Sequence, residues 1–440
     1  MIQRQFWGIL IIGLSFFSCK EGIKVNEDAN HPEIIFELNK QLTEAILQDG
    51  FSPPNASRIY AYPNIAAFEI LRLQSPNAKS LGKNLNGFPE LPAPKNINSL
   101  NLNIAAIEAF VRVAKALVYR DYLMDTVKTN LFLLLDIQKI PEKLIKDSEK
   151  YGNEIAENII LWAKEDGYAK TRNKAIFTPK KHPGAWEPTP PTYGEALEPY
   201  WFELRSFQFD SANQFSPLPP LPYSENKNSS FYYQAIEAKD VVNTNKAENI
   251  VIARFWDDNP FISVNQGHLM FANRQVSPPG HWNLIAISVM KKEKTSLPEA
   301  AKILAILSVA IADGTISCWK EKYRSNLIRP ETYINRFIDP KWRPILETPK
   351  FPEHPSGHSV TSGAASTILA HFFGENYSFT DSTTVPYGSS PRNFPDFRSA
   401  AQEASISRLY GGIHYRLAVE EGLKQGIAIG AFTLKKLNSD

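Results

Sequence analysis

Three short segments in the last 120 residues carry side chains that could bind an anion and move protons. The first contains Lys322 and Arg329, with Pro330 directly after the arginine. A spacing of seven residues is two helical turns, which predicts both cations on one helix face, about 10 Å apart along the axis. Both side chains are long enough to converge on one anion from there. Because Pro330 disfavours helical geometry at the residue before it, the helix is predicted to end at Arg329.

The second segment is Pro355-Ser356-Gly357-His358, which comes directly before a run of small residues typical of a helix. A Ser-Gly pair at a helix N-terminus offers an anion a hydroxyl, backbone N–H groups and the positive end of the helix dipole. An ordinary helix cap would need only Ser356. The titratable His358 beside it therefore indicates chemistry as well as capping.

The third segment runs from Ser407 and Arg408 through Gly411-Gly412 to His414. Arg408 supplies another cation, and His414 supplies an imidazole that can coordinate a metal or attack a substrate when neutral. The glycine pair is expected to relax the helix between them. Each segment alone is weak evidence, so the prediction rests on their occurrence together.

The elements that must position these residues are predicted to be helices. Apolar residues recur at three- and four-residue spacing over most of the chain, and few stretches alternate with period two. Helices are expected over 300–319, 359–373 and 419–437. The segment 179–222 has ten prolines, but it also carries large aromatic residues. Disordered linkers have few aromatics, so we predict a packed loop in a mainly α protein.

Charge and cysteine content exclude several classes of protein. The 440 residues include 48 Lys and Arg against 46 Asp and Glu, a formal net charge of +2. No global basic field exists to hold nucleic acid, so no nucleic-acid partner is predicted. The two cysteines, Cys19 and Cys318, exclude a disulfide framework.

The N-terminus has the pattern of a bacterial lipoprotein signal. Arg4 precedes an uncharged, mostly apolar run at 6–17, and Ser18 stands before Cys19. We predict a signal peptide at 1–18, a polar tether at 19–31 and a lipid-modified Cys19 that binds a bilayer. The protein would cross the inner membrane and be anchored in the periplasm, at the outer membrane or at the cell surface. A plain signal peptide or an N-terminal membrane anchor remains the alternative.

In chain order, the segments read Lys-x6-Arg-Pro, Pro-Ser-Gly-His and Ser-Arg-x5-His. This combination resembles the superfamily of type 2 phosphatidic acid phosphatases and vanadium-dependent haloperoxidases. The resemblance implies a mainly α helical bundle, with a four-helix catalytic core at 294–440 that carries the site and an N-terminal helical part at 32–293. Further similarity to its bacterial haloperoxidase-related branch lies at Trp186–Pro190, Phe255–Asp257, Gly280–Trp282, Asp313 and Cys318-Trp319.

The resemblance also implies a role for each residue around a tetrahedral oxyanion. Cofactor-binding residues would be Lys322, Arg329, Ser356, Gly357, Arg408 and His414. His414 would bond the vanadium of vanadate, or the phosphorus of a phosphohistidine in a phosphatase. His358 would be the general acid–base, with Lys322 counted among the catalytic residues. Phe351 and His354 would line the halide or substrate pocket.

The motifs are common to peroxidases and phosphatases. The long N-terminal part and Phe351, which matches an aromatic residue of chloroperoxidases, favour a haloperoxidase that uses vanadate, hydrogen peroxide and a halide. The alternatives are a phosphomonoesterase that acts on a small phosphoester and binds phosphate, or a non-catalytic oxyanion-binding lipoprotein. One departure concerns Ala418, because many members have an aspartate there that orients a catalytic histidine.

Overall fold

The computed structural model describes residues 31–75, 77–260, 262–266, 269–273 and 275–437. The predicted signal peptide at 1–18, Cys19 and nearly all of the tether lie outside these residues. Within the described part, the chain forms fourteen α-helices and two short antiparallel hairpins, which confirms the prediction of a mainly α protein.

The first nine helices precede the central core helix. They are α1 (Glu33–Asp49), α2 (Pro53–Leu71), α3 (Leu102–Lys115), α4 (Tyr122–Leu134), α5 (Glu142–Lys164), α6 (Tyr168–Arg172), α7 (Ser230–Asn243), α8 (Ala247–Phe255) and α9 (Pro278–Lys292). The hairpin of β1 (Ile262–Gln266) and β2 (Leu269–Asn273) lies between α8 and α9.

The remaining helices follow in the last third of the chain. They are α10 (Leu297–Ser325), α11 (Pro330–Phe337), α12 (Gly357–Phe373), α13 (Phe397–Tyr410) and α14 (Arg416–Leu437). A second hairpin, β3 (Phe379–Asp381) and β4 (Arg392–Phe394), connects α12 to α13.

Helix α10 is the central element of the core. It contacts α1, α2 and α9 from the N-terminal part and α12 and α14 from the C-terminal part. Its length and apolar composition would allow it to cross a membrane, but 94% of its most apolar 18-residue stretch is buried inside the fold. Burial on all sides explains why this helix is apolar all round.

Helices α10, α12, α13 and α14 pack together as a four-helix bundle. The approach of α12 to α14 is close because glycines lie at their interface. A Cβ atom at Gly363 would stand 2.6 Å from the carbonyl oxygen of Leu423, and one at Gly426 would overlap the carbonyl oxygen of Val360. This packing brings the N-terminus of α12 next to the first residues of α14.

The prediction that Lys322 and Arg329 share one helix face is wrong. Helix α10 ends at Ser325, and Asn326 caps it in the left-handed conformation with φ 47°. Asparagine tolerates this conformation better than most residues. Arg329 is the N-cap of α11, because Pro330 is suited to the first position of a helix and so begins α11.

The proline-rich segment 179–222 packs against α10. Its only helical turn is a 3-10 turn at Trp201–Glu203, and the side chains of Trp186, Trp201 and Phe209 are buried. Asp313 of α10 accepts hydrogen bonds from the backbone N–H groups of Phe207 (2.6 Å) and Gln208 (2.8 Å). The segment therefore covers the side of α10 that carries Asp313.

Candidate active site

The three predicted segments converge at one end of the bundle. Lys322 lies in the last turn of α10, Arg329 caps α11, and Ser356 caps α12. Arg408 lies in the last turn of α13, and His414 lies in the turn before α14. All five side chains are buried.

His414 is held as a neutral imidazole whose Nε2 carries a lone pair and no hydrogen. Its Nδ1 lies 2.9 Å from Oε1 of Glu353. Because a carboxylate only accepts, Nδ1 carries the hydrogen and Nε2 keeps its lone pair. The Nη1 group of Arg329 donates to Nε2 at 3.1 Å. Burial, followed by the charges of Arg329 and Lys322, holds the pKa of His414 well below its usual value.

Glu353 is the site residue that the motifs did not reveal. It is fully buried, and the same Oε1 also accepts the backbone N–H of Tyr415 at 2.9 Å. It lies five residues before His358, and an acidic residue two positions before the Pro-Ser-Gly-His motif was the sequence feature that could have revealed it. Ala418 contributes to the site through its backbone: its carbonyl oxygen accepts the N–H of Ser356 at 2.9 Å.

Two buried guanidinium groups retain unused donors. Arg329 donates through Nε to the carbonyl oxygen of Phe351 (2.9 Å) and through Nη1 to that of Ile413 (2.8 Å). Arg408 donates through Nη1 to the carbonyl oxygens of Trp256 and Asp257. Among the described residues, Nη2 of Arg329 and Nε of Arg408 are buried without a hydrogen-bond partner. An unpaired buried donor on a charged group is costly, so both indicate a missing anionic ligand.

Lys322 is bound differently from the arginines. Its Nζ donates to the carbonyl oxygens of Pro352 (3.1 Å), Glu353 (3.1 Å) and Pro355. An ammonium group has three hydrogens, so all of them are used within the chain. Burial lowers the pKa of Lys322 to about 7. In this arrangement Lys322 holds the 352–355 segment, and its charge reaches the cavity without a free N–H group.

The N-terminus of α12 offers further donors. The Oγ atom of Ser356 accepts the N–H of Ser359 at 3.3 Å, which leaves its own hydrogen available for an anion. Gly357 is the first helical residue, so its N–H has no partner within the helix. A Cβ atom at Gly357 would contact the ring of Trp319 at 3.5 Å and Cε of Lys322 at 4.0 Å. Glycine therefore keeps the space beside Lys322 open.

His358 also has a defined tautomer. Its Nε2 lies 3.2 Å from the carbonyl oxygen of Asp257. A carbonyl only accepts, so Nε2 carries the hydrogen and Nδ1 is the basic nitrogen. Burial, followed by the charge of Arg408, holds the pKa of His358 well below its usual value. The ring is therefore a neutral base at neutral pH.

A small cavity of about 40 Å³ joins the two histidines. Its walls include Trp319, Phe351, Ile413 and Thr361, in addition to His358 and His414. The rings of Trp319 and Phe351 lie 5.1 Å apart. A second cavity of about 70 Å³ is lined in part by His358, Arg408 and Asp257.

The structure does not bring His354 to these cavities, contrary to the prediction that it lines the halide pocket. His354 is buried, and its Nε2 lies 2.9 Å from the carbonyl oxygen of Leu218 in the proline-rich segment. His354 lies outside the helix that begins at Gly357, and it lines neither cavity. Phe351, by contrast, lines both cavities.

This arrangement defines an oxyanion-binding helical bundle, and comparisons with known proteins identify its family. Residues 302–439 match the family model described as the VCPO second helical-bundle domain. The structure of the first bacterial vanadium-dependent iodoperoxidase is 43% identical and matches with a TM-score of 0.86, over 94% of this chain and 98% of that one. No curated protein sequence matches the chain. The chain belongs to the vanadium-dependent haloperoxidase family, which confirms the resemblance inferred from the motifs.

Two more distant structures have the same fold. They are a holo-type and an apo-type bacterial vanadium-dependent chloroperoxidase, with 17% and 16% identity and TM-scores of 0.65 and 0.63. The matches cover 88% and 86% of this chain, and 94% and 92% of the chloroperoxidase chains.

The residues present fit an anionic cofactor such as vanadate. Two arginines with unused buried donors and one lysine lie around the unprotonated Nε2 of His414, which accepts Nη1 of Arg329. Within the described ranges, no group of three or more His, Cys, Asp or Glu side chains could hold a bare metal ion. The donors are therefore arranged for the oxygens of an oxyanion, with His414 as the one nitrogen ligand.

Proposed function

We propose that this protein holds vanadate on His414 Nε2 within the cage of Lys322, Arg329 and Arg408, and oxidises iodide in preference to other halides. Haloperoxidase activity with a vanadate cofactor follows from membership of the family. The observation that carries the site assignment is the neutral His414, whose unprotonated Nε2 accepts Nη1 of Arg329, a buried guanidinium group with a second donor, Nη2, that has no partner.

The negative charge of the oxyanion cofactor would balance the positive charges of the cage. Arg329 and Arg408 would donate their unused N–H groups to its oxygens, and Ser356 and Gly357 would add a hydroxyl and a backbone donor. The Glu353 carboxylate keeps the hydrogen on Nδ1 of His414, so that Nε2 has no hydrogen and can bind the cofactor. Vanadate, when bound, supplies a Lewis-acidic centre that activates hydrogen peroxide toward a halide.

His358 would handle the protons of the reaction. Overall, one halide ion, one hydrogen peroxide and one proton give one hypohalous acid and one water. Nδ1 of His358 is neutral and basic, so it can take a proton from incoming peroxide and return one to the departing oxygen. The carbonyl oxygen of Asp257 holds the opposite nitrogen in place during both transfers.

The cavity walls favour iodide. Trp319, Phe351 and Ile413 give the small cavity a largely apolar, aromatic lining. Removing an ion from water into such a lining is costly, and iodide, as the largest common halide, is the least strongly hydrated. The 43% identical relative is an iodoperoxidase, which supports the same assignment.

A halide and substrate panel tests this proposal. The apo-protein should gain peroxide-dependent iodide oxidation on addition of vanadate, with bromide slower and chloride inactive. Phosphomonoester hydrolysis should stay at background without vanadate. Chloride oxidation as efficient as iodide oxidation would refute the halide assignment. Phosphatase activity without any halide oxidation would instead favour the phosphohistidine alternative.

We propose further that Cys19 carries lipid and anchors the protein to a membrane outside the cytoplasm. The support is the basic and apolar segment that precedes Cys19 in the sequence. Cys19→Ala should abolish fatty-acid labelling and release the protein from membranes. Cys318→Ala is the matched control, because Cys318 is buried in α10 and should leave labelling unchanged. Membrane retention of Cys19→Ala would point to an uncleaved N-terminal anchor.

A further inference from the structure

His281, which lines neither of the two cavities, is hydrogen-bonded by a carboxylate at each of its two ring nitrogens. His281 lies in the first turn of α9 and is fully buried. Its Nδ1 lies 2.9 and 3.0 Å from the two carboxylate oxygens of Asp258, and its Nε2 lies 2.8 Å from Oδ2 of Asp381. Carboxylates only accept hydrogen bonds, so both ring nitrogens carry hydrogen and the ring is a cation. Burial alone would lower the pKa of His281, but the two aspartates raise it to about 10.

On one side, this cation holds a loop of the active site. Asp258 has φ 44°, a left-handed conformation that costs energy for a residue other than glycine. The two preceding residues supply the carbonyl oxygens that bind the catalytic groups. That of Trp256 accepts Nη1 of Arg408, and that of Asp257 contacts both Arg408 (3.3 Å) and Nε2 of His358 (3.2 Å).

On the other side, the cation is tied to the second hairpin. Asp381 ends β3, and Arg392 of the paired strand β4 forms an ion pair with Glu403 of α13. Oε1 of Glu403 also accepts the indole N–H of Trp256 at 3.1 Å. The Trp256 and His281 rings lie 4.6 Å apart at an interplanar angle of 31°. The loop is therefore held through its side chains by the hairpin and α13.

We propose that His281 is a positioning residue for catalysis: its doubly paired imidazolium fixes Asp258, and thereby the Asp257 carbonyl oxygen that orients His358 and Arg408. This inference rests on the roles proposed above for His358 and Arg408. His281 itself does not line either cavity that contains His358.

The positive charge of the ring is essential to this arrangement. A neutral imidazole has hydrogen on one nitrogen only, so one aspartate would face a lone pair instead of a donor. Either bond would then be lost, and a buried carboxylate without its partner is strongly destabilising. The ring is also unsuited to bind a metal ion, because neither nitrogen has a free lone pair.

Two substitutions test the proposal. Asp381→Asn keeps the imidazole and the shape of the site but removes one charge, and His281→Gln removes the cation. In both variants, kcat/KM for hydrogen peroxide should fall about 10- to 100-fold, the usual effect of losing an outer-shell partner. The KM for iodide should not change. In the protein without vanadate, the ¹⁵N NMR signals of His358 should change from one tautomer to a mixture.

A matched control separates positioning from stability. Asp166 is likewise buried, and it accepts hydrogen bonds from Arg58 and Tyr62. It is far from the catalytic residues in the sequence and lines neither of the two cavities that contain His358. Asp166→Asn should lower the melting temperature and leave the His358 signals and the kcat of vanadate-loaded sites unchanged. If His281→Gln does not fold, Asp381→Asn alone decides the test.

Two outcomes would overturn parts of the argument separately. Wild-type kinetics per loaded site and an unchanged His358 tautomer in Asp381→Asn and His281→Gln, with only a lower melting temperature, would make His281 purely structural. If both variants shift the His358 tautomer while His358→Ala keeps full activity, the proposed role of His358 fails and the positioning contact stands.

Discussion

His414→Ala should abolish vanadate-dependent halide oxidation while the protein remains folded. The substitution removes the only nitrogen ligand proposed for the cofactor and leaves Arg329 without the Nε2 acceptor at 3.1 Å. Vanadate binding to the apo-protein, measured by calorimetry, should weaken together with the activity. Because a bond to the cofactor is lost, this is the largest single effect that we expect.

Two further variants sharpen that test. Glu353→Gln keeps an acceptor near Nδ1 of His414 but removes its charge, so activity or vanadate affinity should fall about 10- to 100-fold. His354→Ala replaces another buried histidine in the same segment, one that contacts Leu218 and lines neither cavity. It should keep nearly full activity per folded molecule. Turnover of His414→Ala at the level of His354→Ala would refute the site assignment.

The sequence was sufficient to predict which three segments meet, because their residue types and order form a recognisable pattern. It was not sufficient to predict how they meet. The spacing of Lys322 and Arg329 suggested one helix, but Asn326 adopts a left-handed cap and divides the segment. Local propensity permitted either outcome, and packing of the bundle decided between them.

The partners of the histidines are contacts between residues distant in the sequence, which explains why they were not found. Glu353 and His414 are 61 residues apart, and His281 and Asp381 are 100 apart. No periodicity connects such positions. Ala418 suggested that a histidine lacked its carboxylate, yet the fold supplies Glu353 to His414 and a backbone carbonyl to His358.

The second large effect separates anion binding from proton transfer. Arg408→Ala removes a buried cation that is proposed to donate to the oxyanion, and truncating such a group costs about 2–5 kcal/mol. Vanadate should therefore bind roughly 30- to 4,000-fold more weakly. His358→Ala should bind vanadate nearly as well as the wild type but lose about 10²- to 10⁴-fold in rate, the usual contribution of a general acid–base.

The pH dependence gives an independent check on the same pair. His358 must be neutral to accept a proton, so activity is lost as the pH falls through its pKa. After burial, Arg408 is the main cause that keeps this pKa low. Arg408→Ala should therefore raise the pKa of His358 and move the acidic limb of the kcat/KM profile to higher pH, whereas Arg408→Lys, which keeps the charge, should move it less.

Titrating vanadate into the Arg408→Ala and His358→Ala proteins, and then measuring turnover at saturating vanadate, distinguishes the two roles. The structure adds one expectation: Arg408 also binds the carbonyl oxygens of Trp256 and Asp257, so its removal should disturb His358 and lower the rate of saturated enzyme too. His358→Ala, by contrast, leaves these two hydrogen bonds of Arg408 in place. If His358→Ala loses affinity as severely as Arg408→Ala yet turns over normally when saturated, His358 is a ligand of the oxyanion and not its proton-transfer partner.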